Sequence, residues 1–276
     1  MNGRRAWGLV WVALLAGCAA PLSPVTPLVE TASTPVETVR VVCPESLAGT
    51  LTALASTYQR VEPTTQLVVV QRADPLALEL LARGDADVAL LTWLGEPRPA
   101  ELWTTPLAHD GLAVIVHPQN GLPGLTLGQL RELFQGRAED WAVWGGLPGS
   151  PQIISREESA GDFAFLQARV MGEAQVTLTA LVAPTTEAML AQVAAEQLAV
   201  GYLSVAHLTP QVRALAIEGV PPAPEMIAAG HYPLSRDLYV ATLGEPQNAT
   251  RAFIQWLLGP EGQALIAAQG FQPLSP

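Results

Sequence analysis

The sequence predicts an α/β layered fold, and three observations carry that prediction. From Thr38 onward, short runs of β-branched and aliphatic residues alternate with segments whose apolar residues recur at three- and four-residue spacing. Two of the apolar runs, ADVALLT and LAVIVH, are continuous, the pattern of strands buried on both faces. Hydrophobic residues make up 49% of the chain and charged ones 14%, enough for a sizeable core and too apolar for global disorder. At 276 residues the chain has room for one large domain or two of ordinary size.

Residues 1–17 read as a targeting segment. Arg4 and Arg5 precede an apolar run from Ala6 to Ala16, which is too short to span a bilayer comfortably. LAGC follows, ending at Cys18, and resembles the lipobox of bacterial lipoproteins, in which the cysteine is acylated and becomes the mature N-terminus. An ordinary signal peptide and a membrane anchor are the alternatives. Several acyl chains on one residue anchor stably where a single chain does not, and no later segment has the length of a membrane span. With Cys18 lipidated, Cys43 has no partner for an internal disulfide and reads as a packing residue at a strand end. Residues 18–36, rich in Pro, Ser and Thr and without apolar period, form an extended tether.

TVRVVC is the first strand, and Leu47, Leu51, Leu54 and Tyr58 then recur on one helical face after Ser46. QLVVVQ is the next strand. Asp74 reads as an N-cap with Pro75 at the first helical position, and Gly84 closes that helix. After the strands ADVALLT and LAVIVH, Thr126 and Gln129 form a capping box for a helix ending at Phe134. PQIIS leads into ISREESAGDFAF, from which a helix is expected over about residues 159–171. TTEAMLAQVAAE is helical, LAVGYLS, VRALAI and DLYVAT are strands, and two helices over about 247–258 and 260–269 close the chain.

The charge balance excludes one function class. All 14 basic residues are arginine, against 25 Asp and Glu, so the net charge of −11 offers nothing to neutralise a run of phosphodiesters. Loss of residues 1–17 removes two arginines and takes the charge to −13. His109, His117, His207 and His231 are dispersed without metal-ligand spacing, and no nucleophile elbow, Walker loop or dinucleotide fingerprint occurs. No enzyme activity, cofactor or metal is therefore expected.

PLAHDGLAVIVHPQN, LTLGQLRELFQGRAEDWAVWGG, GYLSVAHL, GHYPLSRDLYVAT and AFIQWLLGPEGQALIAAQGFQPL stand in an order and spacing that resembles the phosphate-binding proteins of bacterial ABC importers. The resemblance covers nearly all of the chain after the tether. It implies a type II periplasmic-binding-protein fold, two mixed-sheet lobes joined by a two-segment hinge, with ligand bound between them. Lobe one would be residues 37–111 plus 213–276 and lobe two residues 112–212, with crossings near HDGLA and HLTPQV. Hinge closure on the ligand is the implied motion.

In that family an oxyanion sits against helix N-termini, helped by hydroxyls, an arginine and an acidic acceptor. Ser46 matches the hydroxyl after the first strand, with a plain N-cap as its alternative. Arg72 stands where a Gly/Ser-rich turn is usual, and Pro75 removes one N–H nearby. Thr92 keeps a hydroxyl after the ADVALLT strand, while Trp93 either lines the pocket or packs. Arg156 and Ser159 match the Arg and Ser of a helix-start motif, with Ala160 and Gly161 following. Gly161 stands where a Thr donor is usual, and Asp162 adds a nearby charge that pairs with Ser159 in an acidic capping box or repels a bound anion. Two like charges 4–6 Å apart cost on the order of 1 kcal/mol at intermediate dielectric.

The implied ligand-binding set is thus Ser46, Arg72, Thr92, Arg156, Ser159 and Gly161. The implied function is an extracytoplasmic, lipid-anchored, monomeric receptor that delivers phosphate or a related small oxyanion to an ABC-importer permease. The alternative is a binding fold with altered specificity, or a surface adaptor without a transport ligand.

Overall fold

The computed structural model describes residues 36–95 and 98–274. Cys18, the segment before it and nearly all of the expected tether lie outside the described residues. The first elements are strand β1 (Glu37–Cys43), helix α1 (Glu45–Val61), β2 (Thr65–Gln71), α2 (Asp74–Arg83) and β3 (Val88–Leu91). Each helix is a crossover, so β1 pairs in parallel with both β2 and β3. α1 turns Leu47, Leu51, Leu54 and Tyr58 inward at helical spacing, against Val39, Val41 and Val88 on one face of the sheet. α2 buries Ala77 and Leu81 on the other face, against Val42, Ala89 and Leu91. β3 is therefore covered on both faces, and all four of its residues are buried. Gly84 ends α2 at φ 72°, a left-handed conformation that glycine adopts without penalty.

β4 (Leu102–Val116) is the long strand that joins the two lobes. Beyond it come β5 (Gly124–Leu125), α3 (Leu127–Phe134), β6 (Gln152–Ser155), α4 (Gly161–Leu166), β7 (Leu181–Val182), α5 (Thr186–Ala195) and β8 (Ala199–Ser204). Then follow β9 (Arg213–Ala214), β10 (Ala216–Ile217), α6 (Pro224–Ala228), β11 (Ser235–Leu243), α7 (Asn248–Leu258), α8 (Pro260–Ala268) and β12 (Gln272–Pro273). The strands run in the order β2-β1-β3-β11-β4-β8-β6-β7. β4 pairs with β11 through Gly111 and with β8 from Leu112, so one strand serves both lobes. The second lobe has its own two clusters, Leu112, Val114 and Phe134 on one face and Ala113, Ile115 and Met189 on the other. No helix among the described residues is long and apolar enough to cross a membrane.

Three sequence expectations change. The lobe boundary at residue 213 moves. β9 pairs with Ile115 and Val116, β10 pairs with β5, and Ile227, Tyr232 and Leu234 pack into the second lobe's cluster. The chain returns to the first lobe only with β11. The apolar residues of VRALAI decide this: Leu215 and Ile217, both fully buried, lie in the second core and split the run into two short strands. The helix expected over 159–171 ends where expected but starts two residues later, as α4, and changes from α to π geometry over Gln167–Met171. Finally, Pro44 and Ala73, not Ser46 and Asp74, hold the N-cap positions of α1 and α2.

Candidate ligand site between the lobes

The carboxylate of Glu45, in the first turn of α1, would by the usual helix-dipole argument favour its own helix N-terminus. It instead crosses to the second lobe. Arg156 Nη2 donates to it at 3.0 Å, Thr186 N at 3.1 Å and Thr186 Oγ1 at 3.2 Å. Thr186 opens α5, whose N-cap Thr185 accepts from Ala188 N. Arg156 follows β6 directly, and its backbone N–H donates to the buried Tyr202 hydroxyl at 3.0 Å, which fixes where the side chain departs. The Arg156 side chain is 7% exposed.

A cavity of about 250 Å³ opens beside this contact, lined by Ser46, Arg72, Thr92, Arg156, Gly161 and Asp162 among others. Five of the six residues expected at the site thus face one space. Ser159 does not: it is exposed in a turn closed by Ala160 N donating to Glu157 O, and Ala160 takes the extended N-cap conformation of α4. No side chain caps α4, so the Ser159–Asp162 capping box is absent. The hydroxyl stands one residue too early to reach the first free N–H groups.

The remaining residues differ in how free they are. Arg72 is exposed at the rim, and its Nη1 donates to Gln71 O at 2.6 Å. Ser46 lies inside α1, and its carbonyl accepts from His207 Nε2 at 2.8 Å. Trp93 packs edge-on against Phe165 at 5.1 Å between ring centroids and leaves the cavity open. Thr92 is buried, and its hydroxyl donates to Asp74 Oδ2 at 2.8 Å. Asp74 also accepts from Trp93 N at 3.1 Å, while its Oδ1 is buried with no hydrogen-bond partner. Burial pushes the Asp74 carboxyl up to about 6, opposed by hydrogen bonds from Thr92 and Trp93 and by the charge of Arg236, and reinforced by Asp162. α4 approaches this carboxylate so closely that a Cβ on Gly161 would overlap Asp74 Oδ2 and Thr92 Oγ1. Only glycine lets the lobes meet here.

Arg236 on β11 was not among the expected residues, and it resolves the oddity of Asp162. Its side chain has no exposed surface. Nε and Nη2 donate to Asp110 Oδ2 at 3.0 and 2.8 Å, and Nη2 lies 2.6 Å from Asp162 Oδ1. Asp110 Oδ1 takes a further bond from Ser204 Oγ at 2.7 Å. Burial works against the charge on Arg236, but Asp162 and Asp110 more than reverse it and raise its pKa. Asp162 is therefore ion-paired from behind, sharing Arg236 with Asp110, and the network ties β11, β4, β8 and α4 together where the chain crosses between lobes. Period-two reading of SRDLYVATL could have found Arg236, since it shares a strand face with Leu238 and Val240, both core residues.

Comparison with known proteins agrees with this geometry. The phosphate-binding protein PstS of Bacillus subtilis is 28% identical over 169 residues, 60% of this chain and 55% of the relative, so the chain spans about half of that protein's length. PstS of Pseudomonas aeruginosa is 24% identical over 292 residues, 94% of this chain and 90% of the relative. The crystal structure of an ABC-type phosphate transport receptor from Vibrio cholerae superposes with a TM-score of 0.76 at 28% identity, covering 86% of this chain and 100% of that one. A profile described as the PBP superfamily domain matches residues 28–261. With that match over most of its length, the chain belongs to the PBP superfamily and has the two-lobed type II periplasmic-binding-protein fold.

Proposed function

We propose that the protein is a solute-binding receptor that takes phosphate, or a closely related small oxyanion, between its lobes and delivers it to the permease of an ABC importer. The observation that carries this reading is chemical: Arg156 Nη2, Thr186 N and Thr186 Oγ1 already converge on a carboxylate. A guanidinium, a helix N-terminal N–H and a hydroxyl are the donors an oxyanion needs once it has lost its water. Ser46, Arg72, Thr92, Arg156 and Gly161 would contact the solute. The names of the Bacillus, Pseudomonas and Vibrio proteins support phosphate as that solute. The receptor works as a monomer outside the cytoplasm, held to the membrane by acyl chains on Cys18.

A second reading, a site retuned to another oxyanion, is favoured by the start of α4, which offers Ala160, Gly161 and Asp162 and so no hydroxyl. Isothermal titration of the mature protein with phosphate, sulfate and arsenate separates the two. Phosphate heat that vanishes in Arg156→Met supports the first reading, and heat from sulfate alone supports the second. Heat from none of the three anions refutes both and leaves a surface adaptor. For the anchor, membrane fractionation with mass spectrometry of the N-terminal peptide should find acyl chains on Cys18, lost in Cys18→Ser.

A further inference from the structure

We propose that Glu45 is an intramolecular ligand of this site. Its carboxylate holds the lobes together without solute and must be displaced by any oxyanion that binds, so it sets the affinity. The inference deepens the oxyanion reading above and rests on it.

Each side-chain hydrogen bond found for Glu45 leads out of its own lobe. Its partners lie 111 and 141 residues away in sequence, and no side chain caps α1. A carboxylate that merely complemented the α1 dipole would have no reason to sit on Arg156 and the α5 terminus. The fit is also incomplete. Arg156 Nε is buried with no hydrogen-bond partner, so Glu45 serves only one edge of the guanidinium. A tetrahedral oxyanion presents more oxygens than one carboxylate and can serve both edges, which a guanidinium fork favours. Displacement thus has a driving force: the incoming solute satisfies a donor that Glu45 leaves orphaned.

Two consequences follow from competition for the same donors. The ligand-free protein populates the closed arrangement, because the latch stabilises closure in the absence of solute. The apparent affinity for solute is lowered by whatever the latch contributes. The latch also selects by charge, since a neutral sugar or amide cannot displace a carboxylate from Arg156.

Glu45→Gln preserves side-chain volume and removes the charge. Its side chain is 29% exposed, so folding should tolerate the change. Small-angle X-ray scattering of wild-type and variant proteins, each without solute, comes first, followed by titration of both with inorganic phosphate. The proposal expects a larger radius of gyration for the ligand-free variant, a return to the wild-type value with phosphate, and phosphate affinity at least tenfold tighter than wild type. An unchanged ligand-free radius overturns it, as does an opened variant when both proteins bind phosphate and the variant binds it no more tightly. Opening in the variant while neither protein binds phosphate upholds the latch and refutes phosphate as the solute.

Discussion

Replacing Asp74 with Asn tests the electrostatics of the lobe interface. Asp74 is 4% exposed, and burial lifts its carboxyl from the ordinary 3.8 to about 6. Below pH 3.8 the group is protonated whether the chain is folded or not. Between 3.8 and about 6 the unfolded chain has released its proton and the native state has not, so the native state binds more protons and loses stability as pH rises. Above about 6 both states are ionised and the penalty is constant. At about 1.4 kcal/mol per pH unit this displacement amounts to about 3 kcal/mol. Asparagine cannot ionise, yet it keeps an oxygen for Thr92 N, Thr92 Oγ1 and Trp93 N. The wild type should therefore lose about 2 kcal/mol of this relative to Asp74→Asn between pH 4 and pH 6.5, the rest falling outside that window. Urea unfolding of both proteins at half-unit pH intervals measures this difference. A difference flat across that range, or one that moves in the wild type's favour as pH rises, refutes the argument, since Asp74 would then ionise as readily folded as unfolded.

Arg236→Met strands Asp110 and Asp162, two carboxylates with 1% and 5% side-chain exposure. It should cost about 3–5 kcal/mol in urea unfolding, largely recovered when Asp110→Asn and Asp162→Asn are added. Gly161→Ala places a methyl group against Asp74 and Thr92, so titration should find phosphate affinity at least tenfold weaker, with the lobes held apart in scattering. A Gly161→Ala protein that binds as the wild type does would show that α4 need not approach Asp74. Cys43 is fully buried, and burial, with Asp74 adding to it, pushes its thiol up to about 12. Native protein should resist iodoacetamide at pH 8 and react promptly in urea.

Much of the fold was legible because its causes are local. The helical spacing of Leu47, Leu51, Leu54 and Tyr58, the capping box of Thr126 and Gln129, and the left-handed Gly84 each involve residues within a few turns of chain. The site was legible only in part. Arg156 and Gly161 lie in a recognisable helix-start motif, but which residue caps α4 depends on Ala160 being extended, and one step of register separates a useful hydroxyl at Ser159 from an exposed one. Trp93 was open between pocket and packing because Phe165, its partner, belongs to the other lobe.

The sequence alone determined an α/β chain with alternating buried strands and helices, an acidic surface unsuited to nucleic acid, and an ordered set of motifs sufficient for the family. Tertiary structure decided where the second crossing falls, and it decided the pairing of charges. Arg236 meets Asp110 across 126 residues, and Glu45 meets Arg156 across 111. The first pair is set by the register of β11 against β4 and the second by how the two lobes close on each other, and no periodicity along the chain encodes either choice. Asp162 looked hostile to an anion in the linear sequence because its neighbours were the only ones visible; buried against Arg236, it is an ion-paired strut at the wall of the cleft.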